Sequence, residues 1–294
     1  MKVKGYIIGI GLLISLTVMT SCQKQERRRA PDVGNAVYYW RTDLRLDSTE
    51  WAFLKQYHIK KVYCRYFDVV MDDNGTDPRP NATLTFSDVL PDSMEVIPTV
   101  YITEDCMHQL HKGLAEKLVK RIRQINETND IKNQIREIQI DCDYTSKSRK
   151  TYYQFLREVK QAWGHKLSTT IRLHQLSMEA PPADEGVLMI YNTGDPRKWE
   201  ERNPILDYRD VYPYLKWLED YPLPMAAAYP VYQWVRDIQG LRVEHTVEAE
   251  EILKVKKAVE DERQELKRSI ITYHLDKDNI NRYKPKTSEE IYHH

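Results

Sequence analysis

Strand-like and helix-like segments alternate along most of the chain, and this alternation constrains the fold more than any other feature. Eight short segments are rich in β-branched and aromatic residues: 36–42, 60–67, 95–102, 135–143, 167–174, 186–192, 223–230 and 269–274. Five of the intervals have helical spacing of apolar residues: 48–57, 112–128, 146–163, 209–221 and 246–267. This α/β pattern predicts a single (β/α)8 TIM barrel.

Two intervals depart from the alternation. Residues 68–93 are polar and rich in Asp, Asn and Pro, and residues 175–185 leave room for one or two helical turns at most. We therefore expect weak or missing helices after strands two and five. The alternative fold is an open doubly wound sheet, which normally has a Gly-rich phosphate turn after its first strand, and the sequence has none. The GxxxxGK[ST], GxSxG and HExxH motifs are also absent from the sequence, so no cofactor is expected.

The first 22 residues are typical of a lipoprotein signal peptide. Two lysines precede an apolar run, residues 6–19, which is shorter than the ~20 residues that a membrane-spanning helix needs. Residues 19–22 read Met-Thr-Ser-Cys and resemble the lipobox of bacterial lipoproteins. We therefore expect lipidation at Cys22 and attachment to a bacterial membrane, with the domain outside the cytoplasm, at the outer membrane or periplasmic face of the cell envelope. The alternative is an ordinary signal peptide that leaves Cys22 as a free thiol.

The remaining sequence divides into a tether and one domain. Residues 23–35 include three consecutive arginines and few apolar residues, so we expect a flexible tether there, followed by the barrel over 36–294. The chain has 44 basic and 44 acidic residues, so its charge gives no support for binding to nucleic acid. Apart from Cys22, the cysteines are odd in number, and we expect them to be buried thiols.

Polar residues line one face of the fourth predicted strand, where Glu137, Gln139, Asp141 and Asp143 alternate with apolar residues. Alternation directs these four side chains into the barrel, where branched apolar side chains are usual. For Glu137 and Gln139, deep in the strand, we favour a network that only stabilises the barrel. Asp143 instead ends its strand, where barrel enzymes have their active sites, and we interpret it as a catalytic candidate with Asp141 behind it.

The fifth predicted strand offers partners for these acids. Arg172 and His174 have the parity that points into the barrel, and buried carboxylates need such partners. Asp141, Asp143 and His174 are also an alternative set of ligands for a divalent cation, but this spacing is weak evidence and we predict no metal.

The exits of the fourth and sixth predicted strands combine acids with an aromatic residue. Residues 140–143 read Ile-Asp-Cys-Asp, and residues 189–192 read Met-Ile-Tyr-Asn. Together they resemble the glycoside hydrolase family 18 barrels, the chitinases and endo-N-acetylglucosaminidases, which have DxxDxDxE and Met-x-Tyr-Asp/Asn at these exits. The resemblance implies a glycan substrate, an acetamido-orienting role for Asp143, and a sugar subsite shaped by Tyr191 and Asn192. The chain also resembles a group of bacterial envelope lipoprotein barrels that have an aromatic first strand and no assigned activity.

Two positions depart from the family 18 pattern. Ile138 replaces the first Asp, and Thr145 replaces the Glu that protonates the glycosidic oxygen in the family. Threonine does not donate a proton as a carboxylic acid does, and family members without the Glu are sugar-binding or inhibitor proteins. Three functions therefore stay open: a glycosidase-like barrel acting on an envelope glycan, an inactive barrel that binds glycan or a protein partner, and a structural envelope lipoprotein.

A hydrolase would need a replacement acid from another loop of the mouth. The candidates after other strands are Asp43, Asp68, Glu104, Asp105, Asp195 and Asp276. Aromatic rings with a polar rim suit sugar faces. The candidates for sugar contact are Tyr144, Tyr191, Tyr229 and Trp234, with Asn192, Arg172 and His174 as polar partners. We expect Tyr39, Tyr101 and Tyr273 to belong to the core instead.

Overall fold

A computed structural model describes residues 34–131, 135–195, 198, 202–238 and 241–292. The predicted signal peptide, Cys22 and most of the predicted tether lie outside the described residues. The first strand begins at Asn35, one residue before the predicted domain boundary. Within the described ranges, no helix is both long enough and apolar enough to cross a membrane.

Eight parallel strands form a closed barrel, which confirms the predicted fold. They are β1 (Asn35–Tyr39), β2 (Ile59–Met71), β3 (Glu95–Ile102), β4 (Glu137–Cys142), β5 (Lys166–Arg172), β6 (Glu185–Met189), β7 (Met225–Pro230) and β8 (Ile270–Tyr273). Each strand pairs with its neighbours in chain order, and β1 pairs with both β2 and β8. All carboxyl ends of the strands therefore meet at one end of the barrel, which we call the mouth.

Helices surround the barrel in most of the intervals. They are α1 (Ser48–Gln56), α2 (Leu114–Thr128), α3 (Arg149–Trp163), α4 (Tyr208–Leu215), α5 (Ala249–Glu262), α6 (Lys277–Arg282) and α7 (Pro285–Tyr292). β2 is followed by an antiparallel strand, Pro78–Asn81, and β5 by a short 3-10 helix, Leu173–Ser177. The expectation of weak or missing helices after strands two and five is therefore confirmed.

Three of the elements that follow β7 were not predicted from the sequence. An antiparallel hairpin, Gln233–Ile238 paired with Leu241–Thr246, follows β7, and we call it the mouth hairpin. Helices α6 and α7 follow β8 and complete the described chain. The mouth hairpin and α6 both contribute to the walls of the mouth.

Local sequence explains where the helices begin and which face they bury. At the start of α1, the Asp47 carboxylate accepts hydrogen bonds from the backbone N–H groups of Thr49 and Glu50, and the Glu50 carboxylate accepts one from the Asp47 backbone N–H. In α2 the buried residues Leu118 and Ile122 recur at helical spacing and pack against the sheet. Similar spacing buries one face of α3.

The interior of the barrel is polar at its centre. Tyr38 Oη donates to Gln139 Oε1 at 2.7 Å, and Gln139 Nε2 donates to Ser168 Oγ at 3.4 Å. All three residues are fully buried. Because every contact of Gln139 is internal, its role agrees with the structural network expected from the sequence.

A second network lies at the amino-terminal end of the barrel. Lys166 Nζ lies 2.9 Å from Glu137 Oε2 and 2.7 Å from Glu185 Oε2. These residues begin β5, β4 and β6, respectively. Burial would lower the pKa of Lys166, but the two carboxylates raise it, so the ammonium stays charged.

The chain enters the barrel at this same amino-terminal end. Gly34 N–H donates to the Arg268 carbonyl oxygen at 3.2 Å, and Ser269 Oγ donates to the Gly34 carbonyl oxygen at 3.2 Å. Asn35 Nδ2 donates to the Tyr57 carbonyl oxygen at 2.9 Å. The start of β1 is therefore fixed on the end opposite the mouth. Elsewhere in the barrel, the three predicted thiols are buried and free.

Candidate functional site

A cavity of about 630 Å³ opens at the mouth, and we call it the mouth cavity. This volume lies within the range of ligand-binding pockets, and the carboxyl ends of the strands are where TIM barrels bind their ligands. Six aromatic side chains contribute to its walls: Trp40, Tyr101, Tyr191, Tyr232, Trp234 and Tyr273. Arginine, aspartate and amide side chains supply the polar part of the lining.

Arg172 and two aspartates form the charged centre of the site. Arg172 Nε donates a short hydrogen bond to Asp143 Oδ1, and Arg172 Nη2 lies 3.4 Å from Asp141 Oδ1. Thr170 Oγ1 donates to the same Asp141 oxygen at 2.6 Å. The Asp141 side chain is 4% exposed and that of Asp143 is 49% exposed. The sequence prediction that these three residues lie together is therefore confirmed, with Asp143 as the carboxylate that reaches solvent.

Gln175 fixes the position of Arg172. Its Oε1 accepts a hydrogen bond from the Arg172 backbone N–H at 2.8 Å, and its Nε2 donates to the Tyr144 carbonyl oxygen at 2.9 Å. This fully buried amide joins the exits of β4 and β5. Sequence analysis missed Gln175, although its place three residues after a strand-ending arginine is a detectable signal.

Burial and charge shift the pKa values of this centre. Burial raises the pKa of Asp141, Arg172 opposes the shift, and the charge of Asp143 adds to it. Burial would lower the pKa of Arg172, but Asp141 and Asp143 raise it to well above its usual value. Arg172 is therefore a permanent cation between two carboxylates.

The aromatic residues form a continuous surface beside Arg172. The Tyr191 ring centroid lies 5.7 Å from the Arg172 guanidinium carbon and 4.7 Å from the Tyr273 ring centroid. Tyr273 in turn lies 5.6 Å from Trp40 and 5.4 Å from Tyr232, again between ring centroids. The surface therefore links the exits of β1, β6, β7 and β8.

Asn192 presents its amide from a left-handed backbone conformation. Its φ is 53°, a value that Asn tolerates better than most residues, and Tyr232 Oη donates to its Oδ1 at 2.5 Å. Asn192 and Tyr191 line the mouth cavity, as the family resemblance implies. Trp234, at the base of the mouth hairpin, also lines it as predicted.

Two predicted sugar-contact residues are outside the cavity, and those predictions are wrong. Tyr144 is fully buried, and its ring stacks on Tyr152 of α3 at a centroid distance of 4.8 Å. Tyr229 is also fully buried and lines neither cavity. Strand alternation explains the first error, because Tyr144 follows the inward-facing Asp143 and therefore points outward.

The expected core aromatics divide differently. Tyr39 is buried and donates to the Asp43 carbonyl oxygen at 2.5 Å, as a core residue would. Tyr101 and Tyr273 line the mouth cavity instead, so the expectation that they are core residues is wrong. Trp40 and Tyr232 also line it; their position at strand exits was their only sequence signal.

His174 lies beside a second, smaller cavity. This cavity of about 250 Å³ is lined by His174 and Tyr214 and shares Asp143, Arg172, Tyr191 and Asn192 with the mouth cavity. Within the described ranges, no group of three or more His, Cys, Asp or Glu side chains is placed to hold a metal ion. The alternative ligand set that included His174 is therefore not assembled.

Thr145 is engaged in a network away from both cavities. Its Oγ1 and Ser148 Oγ each donate to Glu104 Oε1 at 2.8 Å. The hydrogen bonds from Ser148 and Thr145 lower the pKa of Glu104, so this carboxyl is ionised at neutral pH and is a poor proton donor.

The other candidate acids differ in position. Asp68 accepts two hydrogen bonds from Arg65. Asp276, with Asp278 of α6, lines the mouth cavity. The remaining candidates do not contribute to its lining as described: Asp43, Asp105 and Asp195.

Comparisons with known proteins identify the class of barrel. No protein-family model and no curated protein sequence matches the chain. The spore cortex-lytic enzyme SleL of Bacillus cereus is 15% identical over 83% of this chain and 71% of that chain, with a TM-score of 0.51. SleL of Bacillus megaterium is 13% identical over 83% and 72%, with a TM-score of 0.54. The chitinase RmChi1 of Rhizomucor miehei is 10% identical over 84% and 98%, with a TM-score of 0.52.

The fold and its mouth therefore define the class of protein as a single TIM barrel. More particularly, it is similar in fold to chitinases and SleL enzymes, so the resemblance to glycoside hydrolase family 18 barrels is confirmed at the level of the fold. These identities establish architecture, and the role of each residue rests on its own geometry.

Proposed function

We propose that this barrel recognises a glycan in the mouth cavity. The observation that carries the proposal is the continuous aromatic surface of Tyr191, Tyr273, Trp40 and Tyr232 beside the Arg172–Asp143 ion pair. Flat rings contact the C–H faces of sugars, while charged and amide groups bind the hydroxyls. The glycosidase-type fold supports the same function.

The geometry favours recognition over hydrolysis by the family 18 route. The position of the family's proton donor is Thr145, which donates to Glu104 outside the cavity. The exposed carboxylate of Asp143 forms an ion pair with Arg172. A general acid of this family is a carboxyl group that donates a proton, and the hydroxyl of Thr145 does not replace it.

Hydrolysis by a different pair of acids is the second candidate function. It is favoured by one observation: Asp276 and Asp278 line the same cavity as Asp143. In glycosidases, two carboxyl groups about 5–5.5 Å apart suit a retaining mechanism, and about 6.5–9.5 Å apart an inverting one.

Replacing Trp234 with alanine should weaken glycan binding about tenfold to thirtyfold, because buried tryptophans in binding sites contribute about 2 kcal/mol. The measurement is calorimetric titration of the purified protein with a panel of N-acetylated and plain oligosaccharides. Tyr212→Ala is the matched control, since Tyr212 is exposed and lies outside both cavities. If no glycan binds the wild-type protein, recognition of a glycan is wrong.

The same samples test the second candidate through release of reducing ends. Recognition without hydrolysis predicts no release by the wild-type protein. If the wild-type protein releases reducing ends and Asp143→Asn does not, our proposal is wrong. The protein would then be a hydrolase whose acid lies outside the family motif.

We also infer that the chain is held at the cell envelope by a lipid on Cys22. The support is the sequence of residues 6–22. Cys22→Ser should move the protein from the membrane fraction to the soluble fraction and abolish incorporation of labelled palmitate. Unchanged fractionation and labelling would contradict lipidation at Cys22.

A further inference from the structure

Arg282 is a cation of the mouth cavity whose charge is not neutralised by an ion pair. It ends α6, and its Nη1 donates a short hydrogen bond to Gln233 Oε1 of the mouth hairpin. Its Nη2 lies 3.3 Å from Asn279 Oδ1. Both acceptors are uncharged amides, and the described residues form no ion pair with Arg282. Its Nε is buried with no hydrogen-bond partner among them.

The other arginines that line the cavity are neutralised. Arg65 pairs with Asp68, and Arg172 pairs with both Asp141 and Asp143. A guanidinium that is half-buried without a counter-charge loses hydration with little compensation. Arg282 therefore differs from the other two arginines in having its charge available to a ligand.

The acids nearest in sequence do not neutralise Arg282. Asp276 Oδ2 lies 3.9 Å from Arg41 Nη1, and Asp278 is exposed to solvent at the edge of the cavity. Neither forms an ion pair with Arg282. Beside Arg172, the Asp143 carboxylate would repel an anion, so among the three arginines of the cavity Arg282 is the one that favours an anionic group.

We propose that Arg282 binds the carboxylate of an acidic sugar. This inference rests on the proposed function and names the class of glycan: a chain that carries a uronic acid or a lactyl-ether sugar such as muramic acid. A guanidinium binds carboxylates with planar, paired hydrogen bonds. The acidic sugar would lie between α6 and the mouth hairpin, near Trp234, and an uncharged neighbour would lie over Tyr191.

The test compares three ligands on the purified full-length protein by calorimetry. They are chitohexaose, which is neutral, tetragalacturonate, which has uronic carboxylates, and the disaccharide of N-acetylglucosamine and N-acetylmuramic acid, which has a lactyl carboxylate. We expect one acidic ligand to bind about tenfold to a hundredfold tighter than chitohexaose, as for hydrogen bonds to a charged group. Which acidic ligand binds tighter identifies the source of the carboxylate. In Arg282→Gln, the ratio of acidic to neutral affinity should fall to about one.

Two matched variants separate charge recognition from a structural effect. Lys277→Gln removes the same charge from α6 outside the cavity and should preserve the ratio. Gln233→Ala removes the contact between Arg282 and the mouth hairpin but keeps the guanidinium, and it should also preserve the ratio. A ratio lost equally in Gln233→Ala would mean that Arg282 only holds the hairpin, which overturns the proposal. Equal wild-type affinity for neutral and acidic ligands overturns it too but leaves glycan recognition intact, whereas no binding at all overturns both.

Discussion

Replacing Arg172 with methionine should lower the free energy of unfolding at pH 7 by about 3–5 kcal/mol, as is usual when one partner of a buried ion pair is removed. Asp141 would lose its counter-charge in a site where its side chain is 4% exposed. Chemical denaturation followed by circular dichroism measures the loss. Arg172→Lys keeps the positive charge and should lose less free energy of unfolding. Equal losses in the two variants would show that the counter-charge of Asp141 is not what stabilises the fold.

The pH dependence of the same variant tests which carboxylate is responsible. Burial raises the pKa of Asp141 even with Arg172 present, and removing the cation raises it further. A carboxyl whose folded-state pKa exceeds its unfolded value binds a proton more tightly when folded, so it favours folding at low pH and this contribution is lost as the pH rises. The free energy of unfolding that Arg172→Met loses relative to the wild-type protein should therefore become smaller as the pH falls from 7 to 5. A deficit independent of pH would exclude Asp141 as its cause.

A loss of similar size, about 3–5 kcal/mol, is expected for Lys166→Met at the opposite end of the barrel. The substitution removes the ammonium that lies between Glu137 and Glu185, whose side chains are nearly inaccessible to water at 0% and 7% exposed. The pKa of Lys166 is raised in the folded state. Its stabilising contribution is therefore fully present at neutral pH and is lost only as the pH rises through its folded-state pKa.

Chemical denaturation also measures the loss in Lys166→Met, and Lys160→Met is the matched control. Lys160 Nζ lies 2.6 Å from Asp184 Oδ1, but both side chains are substantially exposed, and such pairs contribute less than about 1 kcal/mol. Denaturation midpoints that fall equally for Lys160→Met and Lys166→Met would show that burial of the Glu137 network contributes nothing.

The barrel could be predicted from the sequence because each of its strands has a buried face with a clear pattern. Each of the eight predicted segments overlaps one strand of the barrel. The mouth hairpin could not be predicted in the same way. Its sequence of Gln, Trp, Val, Arg, Asp and Ile has no consistently apolar face, so it lacks the period-two pattern that predicts a strand. Helix α6 is only six residues long and gives little periodic signal.

The candidate site was predictable only where strand parity decides direction. Parity brought Asp141, Asp143 and Arg172 together correctly. The prediction for Tyr144 followed from its closeness to a strand exit. Strand alternation instead directs this ring outward, towards α3. Arg282 lies outside every predicted strand and helix, and its contact with Gln233 depends on how α6 and the mouth hairpin meet. No local pattern in the sequence encodes that contact.

The start of β1 and the mouth lie at opposite ends of the barrel. Gly34 and Asn35 are bonded into the amino-terminal pole, so any attachment through the preceding residues pulls on the pole opposite the opening. The mouth therefore opens on the side of the barrel away from residue 34, where the described chain begins, so a ligand approaches the site from the end opposite that entry.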